Sequence, residues 1–237
     1  MRILTLLTLV LLAPAGTGFG GEYVTTPGGI EVKLETWDQP AYGPRWLFIR
    51  YQYYVAPDGQ LTLHGDYARL MKGKRREFTR FNHGVKHGPF AKWYDEGQLE
   101  MEGRYVEGKL EGPVTRYYES GKLKEVVNFT AGELEGTYTF YYRSGRKREE
   151  GSFLRGRKEG RFMEYHPNGA VAIAGTFHQG YLTGRLTYTD SQGRMVAEGK
   201  LASDLVTGAW ICYGTDGRVQ RVREDCRERV YVECACE

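Results

Sequence analysis

The stretch Gly108-Lys-Leu-Glu-Gly112-Pro-Val-Thr-Arg-Tyr-Tyr118-Glu-Ser-Gly121-Lys-Leu-Lys-Glu-Val-Val-Asn-Phe129 decides the fold. Two runs rich in Val, Thr, Tyr and Phe flank Glu119-Ser120-Gly121. Glycine there suits the left-handed position of a three-residue hairpin loop with a bulge. Gly108 and Gly112 bracket a wider turn to the next unit. The same stretch returns along the chain. Glycines recur at 84, 108, 132, 156 and 180, each 24 residues after the last. A second series runs Gly88, Gly112, Gly136, Gly160, Gly184, Gly208, and a third Gly97, Gly121, Gly145, Gly169, Gly193, Gly217. A fixed period of this length is the signature of stacked supersecondary units, none of which can bury its apolar face alone. Two or three glycines per unit disfavour helix. The reading is therefore all-β: an elongated antiparallel meander of consecutive 24-residue hairpins over residues 59–225.

Alternation assigns the faces. A three-residue loop pairs Trp93 with Leu99, Tyr117 with Leu123 and Tyr165 with Val171. These rings are expected to share a buried face with Gly103, Gly151, Gly175 and Gly199, covering the gaps those glycines leave; a bulge at the glycines is the alternative. The opposite face then carries Phe90, Tyr94, Tyr118, Tyr138, Tyr142 and Phe162, which become the candidate binding stripe. A second packed face is the competing reading of that stripe.

Outward from the repeats, residues 21–58 break the period but contain the strong strand Trp46–Val55, an N-terminal β cap. Before it, Arg2, the apolar run Ile3–Leu12 and Ala13-Pro14-Ala15 form an export signal over residues 1–20, with cleavage near 15 or 20. Ten apolar residues fall short of the ~20 needed to span a bilayer, and no later run does better. All four cysteines, Cys212, Cys226, Cys234 and Cys236, fall late. Behind an export signal they suggest two disulfides that staple the tail, residues 226–237, to the last hairpin, with the pairing open.

Composition agrees. Glycine supplies 32 of 237 residues and aromatics 14%, with glycine at about twice its usual ~7%. That excludes a disordered linker. The net charge of +3 gives no case for nucleic acid. The basic runs Lys72–Arg76 and Arg143–Lys158 read as solvated faces, with lipid-headgroup or anionic-polymer binding a weaker alternative. His83 and His87 stand four apart in a glycine-bounded turn rather than on a helix, so metal ligation is disfavoured. No catalytic or cofactor motif stands out, and Glu31, Glu35, Asp38 and Arg45 form no recognisable constellation outside the repeats.

The pattern Gly108, Gly112, Tyr117, Tyr118, Gly121, Phe129 resembles the MORN-repeat variant family, including the repeat proteins called YwqK-type antitoxins. The resemblance implies a sheet of hairpins and a role in protein interaction. Together these readings point to a non-catalytic exported protein, periplasmic or extracellular and bacterial, that binds a protein or a cell-envelope polymer without a cofactor. An immunity protein or antitoxin-like inhibitor of a secreted toxin is the alternative, and a small enzyme with its site outside the repeats a second.

Overall fold

A computed structural model describes residues 23–27, 31–33, 35–40 and 47–223. The expected export signal and tail, with Cys226, Cys234 and Cys236, lie outside these residues. The described chain is all β. A short hairpin, Tyr23–Thr25 with Glu31–Lys33, precedes an antiparallel sheet of 19 strands. The ladder follows chain order, from Glu35–Pro40 and Leu47–Val55 through to Trp210–Tyr213 and Val219–Arg223. The strand expected over Trp46–Val55 thus continues the same sheet as the repeats.

Each unit is built as the 24-residue pattern requires. In the hairpin Val85–Trp93 with Leu99–Val106, Trp93 pairs with Leu99. Tyr94 N donates to the Gln98 carbonyl at 2.9 Å, leaving Asp95-Glu96-Gly97 as the loop. Gly97 has φ +98°, the conformation that favours glycine at this position.

The Gly-x-x-x-Gly segment differs from expectation. It is a tight turn, not a wide one. Val106 pairs with Lys109, and both central residues are left-handed, Glu107 at φ 47° and Gly108 at φ 79°. Two consecutive positive φ values define the mirror-image turn whose twist matches that of paired strands. His83, Ala131, Arg155, Gln179 and Ser203 occupy the Glu107 position in the other units, all with φ between 45° and 52°.

The face assignment also needs correction. One residue beyond the loop, the register slips: Trp93 opposes Leu99, but Lys92 opposes Met101, leaving Glu100 unpaired. The same slip leaves Lys124, Arg148, Ala172, Val196 and Gln220 extra in later units. A one-residue bulge moves every subsequent side chain to the other face. The strand glycines therefore sit under Phe90, Tyr138, Phe162 and Trp210, not under Trp93, Tyr117 and Tyr165. A Cβ on Gly151 would lie 2.8 Å from Tyr138 Oη, and one on Gly175 2.8 Å from Phe162 Cε1. The idea that a ring covers each glycine holds, with different rings.

The core runs along this face in a 24-residue series: Phe90, Val114, Tyr138, Phe162, Leu186 and Trp210, each 1–5% exposed. Sizes are complementary along the row. Where Val127 replaces the strand glycine, its partner is the smaller Val114. Tyr105, Phe129, Phe153, Phe177 and Leu201 flank the row. Cys212, also buried, belongs to its C-terminal cluster.

Candidate functional site

Phe90, Tyr138 and Phe162 of the expected stripe are core, not surface. Tyr138 is further committed by its hydroxyl, which donates to Glu149 Oε1 at 2.6 Å. Lys158 Nζ reaches the same oxygen at 2.5 Å and lies 5.4 Å over the Tyr138 ring. Burial, and then that hydrogen bond, push the Tyr138 phenol well above its usual range. Glu164 stands opposite Glu149 in the ladder. Burial, reinforced by the Glu149 charge, raises its carboxyl.

Tyr94, Tyr118 and Tyr142, the remaining members, are half-buried and spent on joining units. Each hydroxyl donates to a backbone carbonyl of the next repeat: Tyr94 to Tyr117 at 2.7 Å, Tyr118 to Tyr141 at 2.7 Å, Tyr142 to Tyr165 at 2.6 Å. His166 continues the series, with Nε2 2.7 Å from the Thr189 carbonyl. Lys122 and Arg146 bond loop carbonyls one unit on. The opposite edge is tied as firmly. Gly108, Gly132, Gly156 and Gly180 N donate to the carbonyls of Lys86, Leu110, Leu134 and Lys158. The left-handed residue before the glycine donates to a glutamate of the preceding unit, Ala131 to Glu111, Arg155 to Glu135 and Gln179 to Glu159, at 2.7–2.8 Å. Both edges and the core row thus hold each unit to the next.

What remains for contact is the other face, read from sequence as buried. Trp93, Tyr117, Tyr141 and Tyr165 line it at single-unit spacing, half-buried, beside Leu99, Leu123 and Val171. A finer order lies on top. Tyr117 donates to Glu102 at 2.7 Å, Tyr165 to Glu150 at 2.5 Å and Tyr213 to Glu198 at 2.7 Å. These acid–phenol pairs recur every second unit. Strands stand ~4.8 Å apart, so the rings step by about 9.6 Å and the pairs by about 19 Å along a flat sheet. Two carboxylates carry a cation as well, Glu150 from Lys147 at 2.6 Å and Glu198 from Arg185. Lys147, then Tyr165, hold the Glu150 carboxyl below the usual range. Tyr213, then Arg185, do so for Glu198. The hydrogen bond that it donates to Glu102 pushes the Tyr117 phenol up to about 12. Burial and Glu150 do the same at Tyr165, to about 12. Met163 and Val222 add exposed apolar surface to the same face.

The profile of the MORN repeat variant family matches residues 110–131 and 134–154. The two matches start 24 residues apart, in register with the left-handed turns. These units are MORN repeat variants. Such repeats generally serve as interaction modules, and the rest of the array repeats their turns and core positions. Comparison with curated proteins found no match.

Other candidate groups do not converge. His83 Nδ1 meets Tyr54 Oη at 3.0 Å, whereas His87 Nδ1 turns to Glu107 at 3.2 Å. Among the described residues, no group of three or more His, Cys, Asp and Glu stands placed to hold a metal. Arg45 lies outside the described residues, and Glu31 with Glu35 and Asp38 falls on the short leading strands. No helix among the described residues is long and apolar enough to cross a membrane. In the basic stretch, Lys147 and Lys158 are bound to glutamates, while Arg143 lies 5.6 Å over the Tyr118 ring.

Proposed function

We propose that this chain is an exported, non-catalytic interaction module. Its outer face, carrying Trp93, Tyr117, Tyr141 and Tyr165, engages a protein or a cell-envelope polymer. The observation that carries the reading is the use of the tyrosines. Tyr138 on the core face is buried and Tyr94, Tyr118 and Tyr142 at the loop edge are bonded to backbone, while the outer rings stand in a regular row with carboxylates between them. Half-buried aromatics held at fixed spacing offer contact area at little entropic cost. A row with its own period suits a ligand that is itself extended and repetitive. The carboxylates give the row acceptors for hydroxyl or amide donors. An inhibitor of one secreted toxin would use the same rings against a single folded partner.

The test is binding of the mature protein to an isolated cell-envelope fraction. Trp93→Ser, Tyr117→Ser and Tyr141→Ser in one chain should abolish retention and leave the melting temperature nearly unchanged. Retention at wild-type level would overturn the reading. Capture of one stoichiometric protein, with no retention on polymer, would select the inhibitor.

A further inference from the structure

The outer face carries cations as well as rings. Toward the turn edge, Arg185 and Lys200 stand directly opposite each other on neighbouring strands. Like charges in directly opposed positions destabilise a sheet. Arg161 holds the Arg185 position one unit earlier, opposite Thr176, and Thr176 in turn opposes Thr183. All three cations are exposed, and the residues that follow them, Phe162, Leu186 and Leu201, are core. With strands ~4.8 Å apart, Arg161, Arg185 and Lys200 make a line of about 14 Å along the array. The acids nearby are already bonded. Glu198 accepts from Arg185 Nε at 2.7 Å and from the Tyr213 hydroxyl. Glu159 accepts the Gln179 amide and meets His178 Nδ1 at 2.9 Å. Among the described residues, neither Arg161 nor Lys200 has an ion-pair partner. The repeat itself sharpens the patch. Glu111, Glu135 and Glu159 occupy one place in successive units, and the next member of that series is Thr183. The acid that would stand beside Arg185, on the same face, is gone.

We propose that this patch binds the acidic groups of a linear polysaccharide lying along the array. The assignment rests on the outer face being the contact surface, and it narrows the polymer named above to an anionic one. A guanidinium matches a carboxylate through two parallel hydrogen bonds. The Thr176 and Thr183 hydroxyls between the arginines both donate and accept, as sugar hydroxyls require. An extended acidic peptide draws its affinity for a sheet from backbone pairing at an edge. Here the flanking strands are already paired on both sides, so the face offers side chains alone. Nucleic acid calls for a larger basic excess than three cations on a chain of net charge +3. Tyr165 follows Arg161 by four residues on one strand, which places the ring row about 14 Å away. The cations therefore form a lane of their own, and they can be altered without touching the rings.

Binding of the mature chain to polygalacturonate, a linear polyuronate, tests this. The fully methyl-esterified polymer supplies the same backbone without charge. The acid form should be retained and the ester should not, and about 0.5 M salt should release what binds. Arg161→Gln with Lys200→Gln should weaken binding roughly tenfold, through the loss of two exposed ion contacts. Thr183→Glu copies the preceding units and leaves every cation in place. It should weaken binding as well, with no fall in melting temperature. Equal retention of acid and ester, retention of neither, or wild-type binding by Thr183→Glu would overturn the proposal. So would a preference for phosphatidylglycerol vesicles or for an acidic protein over the polyuronate. The ring row is judged separately: if the triple ring variant loses the envelope fraction while Thr183→Glu keeps wild-type affinity for the polyuronate, the contact face stands and the anionic ligand falls. Wild-type retention of the triple ring variant would remove the face itself.

Discussion

Adding one methyl group at Gly151 is the sharpest test of the core. A Cβ there would stand 2.8, 2.9 and 3.0 Å from Oη, Cε1 and Cζ of Tyr138, where non-bonded carbon contacts favour ~3.5–4.0 Å. The ring has nowhere to go: Tyr138 is 1% exposed and its hydroxyl is held by Glu149. Overpacking of this kind costs about 1–3 kcal/mol. Replacing a strand glycine by alanine recovers about 0.5–1 kcal/mol of that. The net loss expected for Gly151→Ala is therefore about 1–2 kcal/mol, or roughly 2–8 °C in melting temperature for a chain of this size. The companion change is Tyr138→Val, which copies the Val114–Val127 pair that occupies the same register one unit earlier. Alone it should cost about 3 kcal/mol through the lost ring. In its background, Gly151→Ala should become neutral or stabilising, a coupling of about 2 kcal/mol. Urea and thermal unfolding followed by circular dichroism measure all four corners of the cycle, with coincident probes checking that the array unfolds as one unit. A neutral Gly151→Ala in the wild-type background would refute the packing argument.

Other outcomes follow from the same geometry. Ala131→Gly should stabilise by about 0.5–1 kcal/mol, because Ala131 is held at φ 51° where glycine is unstrained; Gly132→Ala should do the reverse, both read by thermal unfolding. Changing Tyr94, Tyr118 and Tyr142 together to Phe removes three inter-unit hydrogen bonds, at ~1 kcal/mol each, while leaving envelope binding intact. Glu150 and Glu198 have carboxyl values lowered by their partners. Their stabilisation is present above the unfolded value of ~4.3 and lost as pH falls through the folded one, so the melting temperature should drop in that range. Glu164 has the opposite shift: Glu164→Gln should stabilise at neutral pH, with the gain vanishing in acid. Exported protein should begin near Gly16 or Gly21 and show two disulfides on non-reducing mass mapping; an intact Met1 or reduced thiols would contradict that reading.

The repeat, its hairpins and the loop pairs Trp93–Leu99 and Tyr117–Leu123 were legible because glycine marks the left-handed positions directly. The faces were not. The extra residue in each unit is Glu100, Lys124, Arg148, Ala172, Val196 or Gln220, a set with no common chemistry, and alternation cannot survive an unmarked insertion. The tight turn escaped for a similar reason: His83, Glu107, Ala131 and Arg155 precede its glycine, where Asn or Asp would announce it. Glu102–Tyr117, Glu150–Tyr165 and Glu198–Tyr213 join strands of neighbouring units and need the register to be seen. Their 48-residue recurrence was nonetheless present in the sequence. So were the Tyr117-Tyr118 and Tyr141-Tyr142 doublets, in which one ring faces out and the next reaches the following unit's backbone.

Hydroxyl-radical footprinting of the mature protein, free and on its envelope fraction, tests the central claim most directly. The account requires Trp93, Tyr117, Tyr141 and Tyr165 to be labelled in the free protein and protected on binding, with Phe90, Tyr138 and Phe162 silent throughout. Labelling of Phe90, Tyr138 and Phe162, or outer rings whose reactivity is unchanged by the envelope fraction, would contradict it.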